Sequence, residues 1–225
     1  MASSEVDICN LALAHLGDPA QVSSIAPPDG SAQSGHCARF YPMARDAIME
    51  MHTWGFTQQR VSLALLAITP PSEWKYAYGT PTGVLNYLSI LAADAADDNS
   101  VGMILPNDLY SSIPSVAVGS YTPQPFVVET LGGQDVLYTN QENAVLRYTA
   151  NVVDPTQFSP LFTMALTMLL ESMLAGPIIK GAEGRAAAKE IQEKFFTWWM
   201  AKATASDANQ RRLTVAQRTT WIANR

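Results

Sequence analysis

SPLFTMALTMLLESMLAGPII occupies residues 159–179, where Glu171 is the only charged residue. Ser159 followed by Pro160 is typical of a helix start, because serine caps the first turn and proline needs no N–H there. Apolar residues fall on more than one face of this helix, which predicts the buried centre of a helical bundle. A membrane span is the alternative. Against it, Glu171 at mid-membrane would cost roughly 2.5–3.5 kcal/mol, and Gly176-Pro177 is expected to break the helix.

Three further helices are predicted around this segment, giving helices at about 4–56 and 159–207. Ser4 caps the first, and Gly17 ends it. The second covers about 33–54, and Pro42 inside its pattern either lies near the first turn or kinks the helix. A bend at 181–184 precedes the last helix, about 185–205, whose inner stripe is predicted to be Ile191, Phe195, Trp198 and Trp199.

The middle of the chain has the period of β structure. Apolar runs at 60–67, 84–92 and 144–150 predict strands, and Gly132-Gly133 between 126–131 and 136–139 predicts a hairpin. The sequence therefore predicts an α+β fold, mainly a helical bundle formed by the N- and C-terminal helices. A small antiparallel β insertion at about 60–152 completes a single domain over residues 1–225, which ends in an extended arm.

Charge is scarce and unevenly placed. Charged residues make up 15% of the chain, against about 25% in ordinary globular domains. Subunit contacts would explain the shortfall, because interface cores are depleted in charge, and a large neutral polar surface is the alternative. All 20 acidic residues and 10 of the 14 basic ones precede residue 209, so residues 1–208 carry −10 and the last 17 carry +4. An acidic body argues against general nucleic-acid binding.

No pattern in the sequence predicts an assembled reaction site. His15, His36 and His52 lack metal-ligand spacing, and no phosphate-binding glycine loop or nucleophile elbow occurs. The Asp97-Asp98 pair falls in a predicted surface turn. The expectation is therefore no catalytic residue, no cofactor and no metal. Cys9 and Cys37 do not form a disulfide framework, and the N-terminal residues lack a secretion signal, which favours assembly in a reducing cytoplasm.

The aromatic segment 74–78 and the basic tail 209–225 each have two alternative interpretations. Trp74, Tyr76 and Tyr78 alternate, so an extended segment would place them on one face, either as a stacking platform for glycans or bases or as a packing surface. The tail at 209–225 is either a solvated end or an arm that folds on an acidic partner. The candidate partner-binding residues of the arm are Arg211, Arg212, Leu213, Arg218, Trp221 and Arg225.

The order of several short blocks resembles one known family, the tail tubular protein A adaptors of short-tailed bacteriophages. The blocks are EVDICNLAL (5–13), HTWGF (52–56), WKYAY (74–78), LRYT (146–149) and FSPLF (158–162), followed by a pair of alanine- and leucine-rich helices. Each block consists mostly of packing residues, and the match depends on their order over about 200 residues. The neutral stretch 99–125 and the tail after 209 have no counterpart.

The resemblance implies a non-enzymatic virion component, located in the tail below the portal vertex after assembly in the host bacterial cytoplasm. Copies in that family form a dodecameric ring between the portal protein and the tail nozzle protein, and tail fibres are a candidate further partner whose attachment the resemblance leaves open. Genomic DNA passes through the channel during ejection without specific binding. The alternative function is a glycan-binding or glycan-degrading tail-associated protein, which would use the Trp74–Tyr76–Tyr78 segment.

Overall fold

The structure, a computed structural model, describes residues 4–92 and 124–210. The predicted turn at Asp97-Asp98, nearly all of the neutral stretch 99–125, and the predicted arm beyond residue 210 lie outside these residues. Within them the order of elements is α1, α2, seven β-strands, then α3, α4 and α5, so the predicted α+β class is confirmed.

Local capping fixes the first two helices. α1 covers Glu5–His15, and Ser4 Oγ accepts a 3.1 Å hydrogen bond from the backbone N–H of Asp7, as predicted. Gly17 follows with a φ of +77°, a left-handed conformation that glycine adopts without strain. α2 covers Ala32–Met51 and contains Pro42, so the alternative that places this proline at the first turn is wrong.

The third helix, α3, covers Pro160–Ile179 and is the centre of the bundle, because α1, α2, α4 and α5 each pack against it. The predicted break at Gly176-Pro177 is wrong, because α3 continues through Pro177 to Ile179. Pro177 lies in the last turn, so the hydrogen bond that its missing N–H cannot form is lost only near the end of the helix. The chain turns instead at Lys180 and Gly181, which have φ values of +64° and +63°. The predicted bend at 181–184 is therefore the first turn of α4.

By length and composition α3 is the one described helix that could cross a membrane, and 61% of its most apolar window is buried within the fold. Its carboxylate, on Glu171, is also buried, and Oε2 lies 3.3 Å from Nδ1 of His15 on α1. Burial raises the pKa of Glu171, and the neighbouring His15 opposes that rise. Glu171 thus has in His15 the polar partner that a buried carboxylate needs inside a bundle.

The seven strands form two antiparallel sheets, which refines the predicted β region. The strands are β1 Gln58–Ser62, β2 Ala64–Leu65, β3 Tyr76–Gly79, β4 Val84–Leu91, β5 Phe126–Leu131, β6 Gln134–Thr139 and β7 Val145–Ala150. One sheet has the order β1-β7-β4, and the other has the order β2-β3-β6-β5. The predicted strand at 60–67 is therefore two strands in different sheets, whereas the predicted β5–β6 hairpin through Gly132-Gly133 is confirmed.

The two sheets pack face to face, and an aromatic cluster joins them to the bundle. Tyr78 and Leu137 from one sheet share a buried cluster with Ile90 and Leu146 from the other. At the junction with the helices the ring centroids of Trp54 and Phe162 are 4.9 Å apart in an edge-to-face arrangement. The indole N–H of Trp54 donates to the backbone oxygen of Ile48 at 2.8 Å, so this buried polar group is satisfied.

Candidate functional site

The last helical segment is a continuous run with a π-turn in its middle. α4 covers Gly181–Lys194, the π-turn covers Phe195–Trp199, and α5 covers Met200–Gln210. The N–H of Met200 donates to the carbonyl of Phe195, five residues back, instead of the usual four. One extra residue is thereby inserted into the helix, a feature that occurs frequently at functional sites.

The insertion changes which side chains face the bundle. Before the turn the inward positions include Gly184 and Phe195, both buried. An uninterrupted α-helix would continue inward at 198, 202 and 206. With one extra residue the inward positions become 199, 203 and 207, and Ala203 and Asp207 are indeed buried.

The prediction that Trp198 belongs to the inner stripe is therefore wrong. Phe195 is buried, and Ile191 and Trp199 are half-buried, but the Trp198 side chain is 51% exposed because the π-turn rotates it outward. The ammonium of Lys202 lies 3.3 Å from the centroid of the Trp198 ring, a cation–π contact on the protein surface. An exposed indole covered by one lysine is available for a protein contact.

The same shift gives Asp207 an anchoring role that the sequence did not indicate. Its Oδ1 accepts a 2.9 Å hydrogen bond from the backbone N–H of Gly55, and its Oδ2 lies 3.2 Å from Nε2 of His52. Gly55 begins the 3₁₀ turn that leads from the bundle into β1. The C-terminal helix is thus fixed to the bundle–sheet junction three residues before its last residue.

The predicted arm begins immediately after this anchor. Its candidate partner-binding residues, Arg211, Arg212, Leu213, Arg218, Trp221 and Arg225, lie outside the described part of the chain. Residues 209–210, which the sequence predicts to belong to the arm, are part of α5 instead. The helix therefore extends beyond its predicted end at about residue 205. Asp207 therefore anchors α5 three residues before the described part of the chain ends.

The predicted aromatic platform is not present as one face. Tyr76 and Tyr78 share a side of β3, with ring centroids 6.3 Å apart, but that side packs between the two sheets and Tyr78 is only 2% exposed. Trp74 precedes β3 and packs against Ala77 and Tyr138 on the opposite side of its sheet. Trp74 does not share the face of Tyr76 and Tyr78 because the strand begins at Tyr76, after a turn that includes Trp74.

Each histidine has its own packing or pairing partner, and the two cysteines contact each other. His15 pairs with Glu171, His52 with Asp207, and His36 stacks on Phe40 at 6.3 Å. Cys9 and Cys37 are buried free thiols. Across residues 4–92 and 124–209, no group of three or more His, Cys, Asp or Glu side chains is placed to hold a metal ion.

Comparison with known proteins adds no relative to this picture. No protein-family model matches the chain, and no curated protein matches it. Inference about its function therefore depends on its own residues and geometry, together with the ordered blocks quoted above.

Proposed function

We propose that this chain is a structural head-to-tail adaptor subunit of a short-tailed bacteriophage. Its copies form a ring, of about twelve by resemblance, that joins the portal protein to the tail nozzle protein and lines the channel used for DNA ejection. The observation that carries the proposal is the combination of few charges with exposed apolar side chains in both the helical bundle and the β region. Such a surface fits a protein whose work is contact with other proteins.

The exposed apolar side chains are spread over the bundle and the β region. Ten large apolar residues in the described part of the chain are at least 36% exposed: Leu11, Met43, Met51, Leu65, Ile68, Leu131, Val153, Ile179, Phe196 and Trp198. A single exposed leucine needs no explanation. Several in a chain with only 15% charged residues favour multiple interfaces over a free monomer.

The charge of the body supports the channel role. Residues 1–208 carry −10, and an acidic wall repels the phosphate backbone. A conduit for DNA has to let the duplex slide without retaining it. The acidic body meets that requirement, whereas a basic groove would slow DNA passage.

The arm is proposed to bind an acidic surface of a ring partner. Four arginines without an acidic residue follow α5 in residues 211–225. Because Asp207 anchors the helix before the arm begins, deletion of 211–225 should leave the domain folded and abolish co-assembly with the portal protein. Unchanged co-assembly of the truncated chain, measured by co-sedimentation with the portal, would refute this role.

The glycan alternative loses the surface on which it depended. Tyr78 is buried between the sheets and Trp74 lies on the other side of its sheet, so the three aromatic rings do not offer one platform. No other described feature favours glycan binding over protein contact.

Purified virions provide the decisive test. Mass spectrometry should detect the chain in particles, and electron microscopy should place it between portal and nozzle. The chain mixed with its portal should also give a ring of added density. Its complete absence from particles, or catalytic turnover by the isolated chain, would contradict the proposal.

A further inference from the structure

Helix α2 is apolar on the side that faces away from the bundle. Its inner positions, such as Ile48, are buried in the core. At helical spacing on the opposite side, Met43 is 59% exposed and Met51 is 46% exposed, with the half-buried Ala47 between them. We call Met43, Ala47 and Met51 the outer stripe of α2. A surface helix normally carries polar residues at these positions, so the stripe favours an apolar occupant.

The C-terminal end of α2 also lacks a cation. Glu50 is exposed in the last turn, where its carboxylate makes no hydrogen bond or ion pair with a residue of the described part, and that turn contains no basic residue. Because the C-terminal end of a helix carries a partial negative charge, a cation is favoured there. Arg45 pairs with Asp46 at 2.8 Å, and Arg39 lies about 16 Å from Glu50 along the helix. Neither arginine therefore neutralises this end.

The last turn of α5 contacts the same end of α2. Nε2 of His52, the residue that caps α2, lies 3.2 Å from Oδ2 of Asp207. Gln210, the last described residue of α5, is three positions further on, about 4.5 Å along the helix axis. The basic tail at 211–225 therefore begins close to Glu50 and Met51.

This tail has the length and the composition to cover the outer stripe. Met51 and Met43 are eight residues apart, about 12 Å along α2. The 15 residues beyond Gln210 span about 22 Å as a helix and about 50 Å when extended, so either conformation reaches Met43. They include four arginines and no acidic residue, together with the apolar side chains of Leu213, Val215, Trp221 and Ile222. Arginine complements the negative end of α2, and an aromatic ring makes favourable contacts with methionine sulfur.

We propose that residues 211–225 fold back onto the outer stripe of α2 in the same chain. Arg211 and Arg212 lie beside Glu50, and Trp221 is among the apolar side chains that cover the two methionines. The occupant is the chain's own tail because the tail begins next to the stripe, which gives it a high effective concentration there. The free subunit thereby covers an apolar surface that another protein could bind. This contact goes beyond the proposed function, since it forms in the isolated chain and does not depend on the adaptor role.

The test measures how fast a cysteine on the stripe reacts with N-ethylmaleimide, an uncharged thiol reagent. Met43→Cys is made in the full chain with its native tail and in the full chain with Arg211→Ser, Arg212→Ser and Trp221→Ser, the tail variant. Leu65→Cys in both backgrounds is the control, because Leu65 is 62% exposed but lies on β2. The two native thiols are buried, and the chain without an added cysteine gives their background rate. Circular dichroism shows whether each variant is folded.

With the native tail, Met43→Cys should react at least about tenfold more slowly than in the tail variant, because the tail has to open before the reagent enters. Leu65→Cys should react at one rate in both backgrounds. The protection at position 43 should not change with protein concentration, since the contact lies within one chain.

The charge at the end of α2 is tested separately. Glu50→Gln, combined with Met43→Cys and the native tail, should lower the protection about threefold, and high salt should have a similar effect. Arg39→Gln is the matched control on the same helix and should not lower the protection, because Arg39 lies far from the start of the tail.

Equal rates for Met43→Cys with the native tail and in the folded tail variant would overturn the proposal. So would an equal rise in rate at Leu65→Cys, which indicates general loosening, or protection that grows with protein concentration, which indicates the tail of a second copy on the stripe. All of these rates are measured on the isolated chain, so they are separate from the search for the chain in virions.

Discussion

Asp207 accepts a 2.9 Å hydrogen bond from the backbone N–H of Gly55, across 152 positions of sequence. The bond joins the last helix to the turn where the bundle meets the β region. It depends on the π-turn, because an uninterrupted helix would turn Asp207 away from Gly55. A local irregularity of one residue therefore determines how the C-terminal end of the domain is attached.

Replacing Asp207 with alanine should lower the free energy of unfolding by about 1–3 kcal/mol, because the backbone N–H of Gly55 loses a charged acceptor that is itself buried. Urea unfolding measures the change. Glu193→Ala is the matched control on the same continuous helix; its carboxylate is 66% exposed and its ion pair with Lys189 is 3.8 Å long. That control should change stability by less than about 0.5 kcal/mol. Equal effects of the two substitutions would contradict the anchoring role.

Inserting one alanine after Ala201 should rotate the end of α5, so that Lys202 and Ser206 replace Ala203 and Asp207 on the inner side. We expect a loss of about 2–5 kcal/mol in the free energy of unfolding, from lost packing and from the lost Asp207–Gly55 hydrogen bond. Deleting Thr197 instead removes the extra residue of the π-turn and keeps Ala203 and Asp207 inward, so it should cost much less. Urea unfolding measures both changes, and equal losses would show that the π-turn carries no register.

Gly184 allows α4 to approach α3 closely. A methyl group added there would lie 2.9 Å from the backbone oxygen of Ala175, which forces the helices apart. Gly184→Ala should cost about 1–3 kcal/mol in a denaturant titration. Gly35→Ala is the control, since Gly35 is also the fourth residue of its helix but has nothing within 4 Å of the added methyl. It should stabilise the protein by up to about 1 kcal/mol through helix propensity, and the same sign at both sites would refute the close contact.

Asp29 should make stability depend on pH in the acid range. Its carboxylate accepts bonds from the backbone N–H of Ser23 at 2.8 Å and from the hydroxyl and N–H of Ser31, which hold its pKa well below the ordinary value of 3.8. Because the folded-state pKa is lowered, this contribution is complete above about pH 4 and is lost as pH falls through the folded pKa.

Asp29→Ala should therefore lower the urea midpoint at pH 7, and the gap from the wild type should narrow steadily below pH 4. Glu73→Ala, at an exposed loop position, is the control and should leave the midpoint unchanged at both ends of the range. A gap for Asp29→Ala that stays constant down to pH 2 would contradict the role of the charged carboxylate.

Local sequence alone determined a large part of this fold. Ser4 and Ser159 cap helices where their side chains were predicted to accept from the first turn, and Gly132-Gly133 gives the hairpin because it allows positive φ. The apolar segment at 159–179 predicted the central helix, because a helix without a polar face has to be surrounded by other helices. Each of these features is encoded within a few neighbouring residues.

Tertiary structure alone decided which side chains are exposed where a helix or strand is irregular. The exposure of Trp198 and the burial of Asp207 follow from one inserted residue, which the bundle stabilises by accepting Ala203 in place of Lys202. Trp74 lies on the other side of the sheet from Tyr78 because the pairing of β3 with β6 begins only at Tyr76, two residues after Trp74. Periodicity predicts faces only while the helix or strand is regular, and its interruptions are set by partners that are distant in sequence.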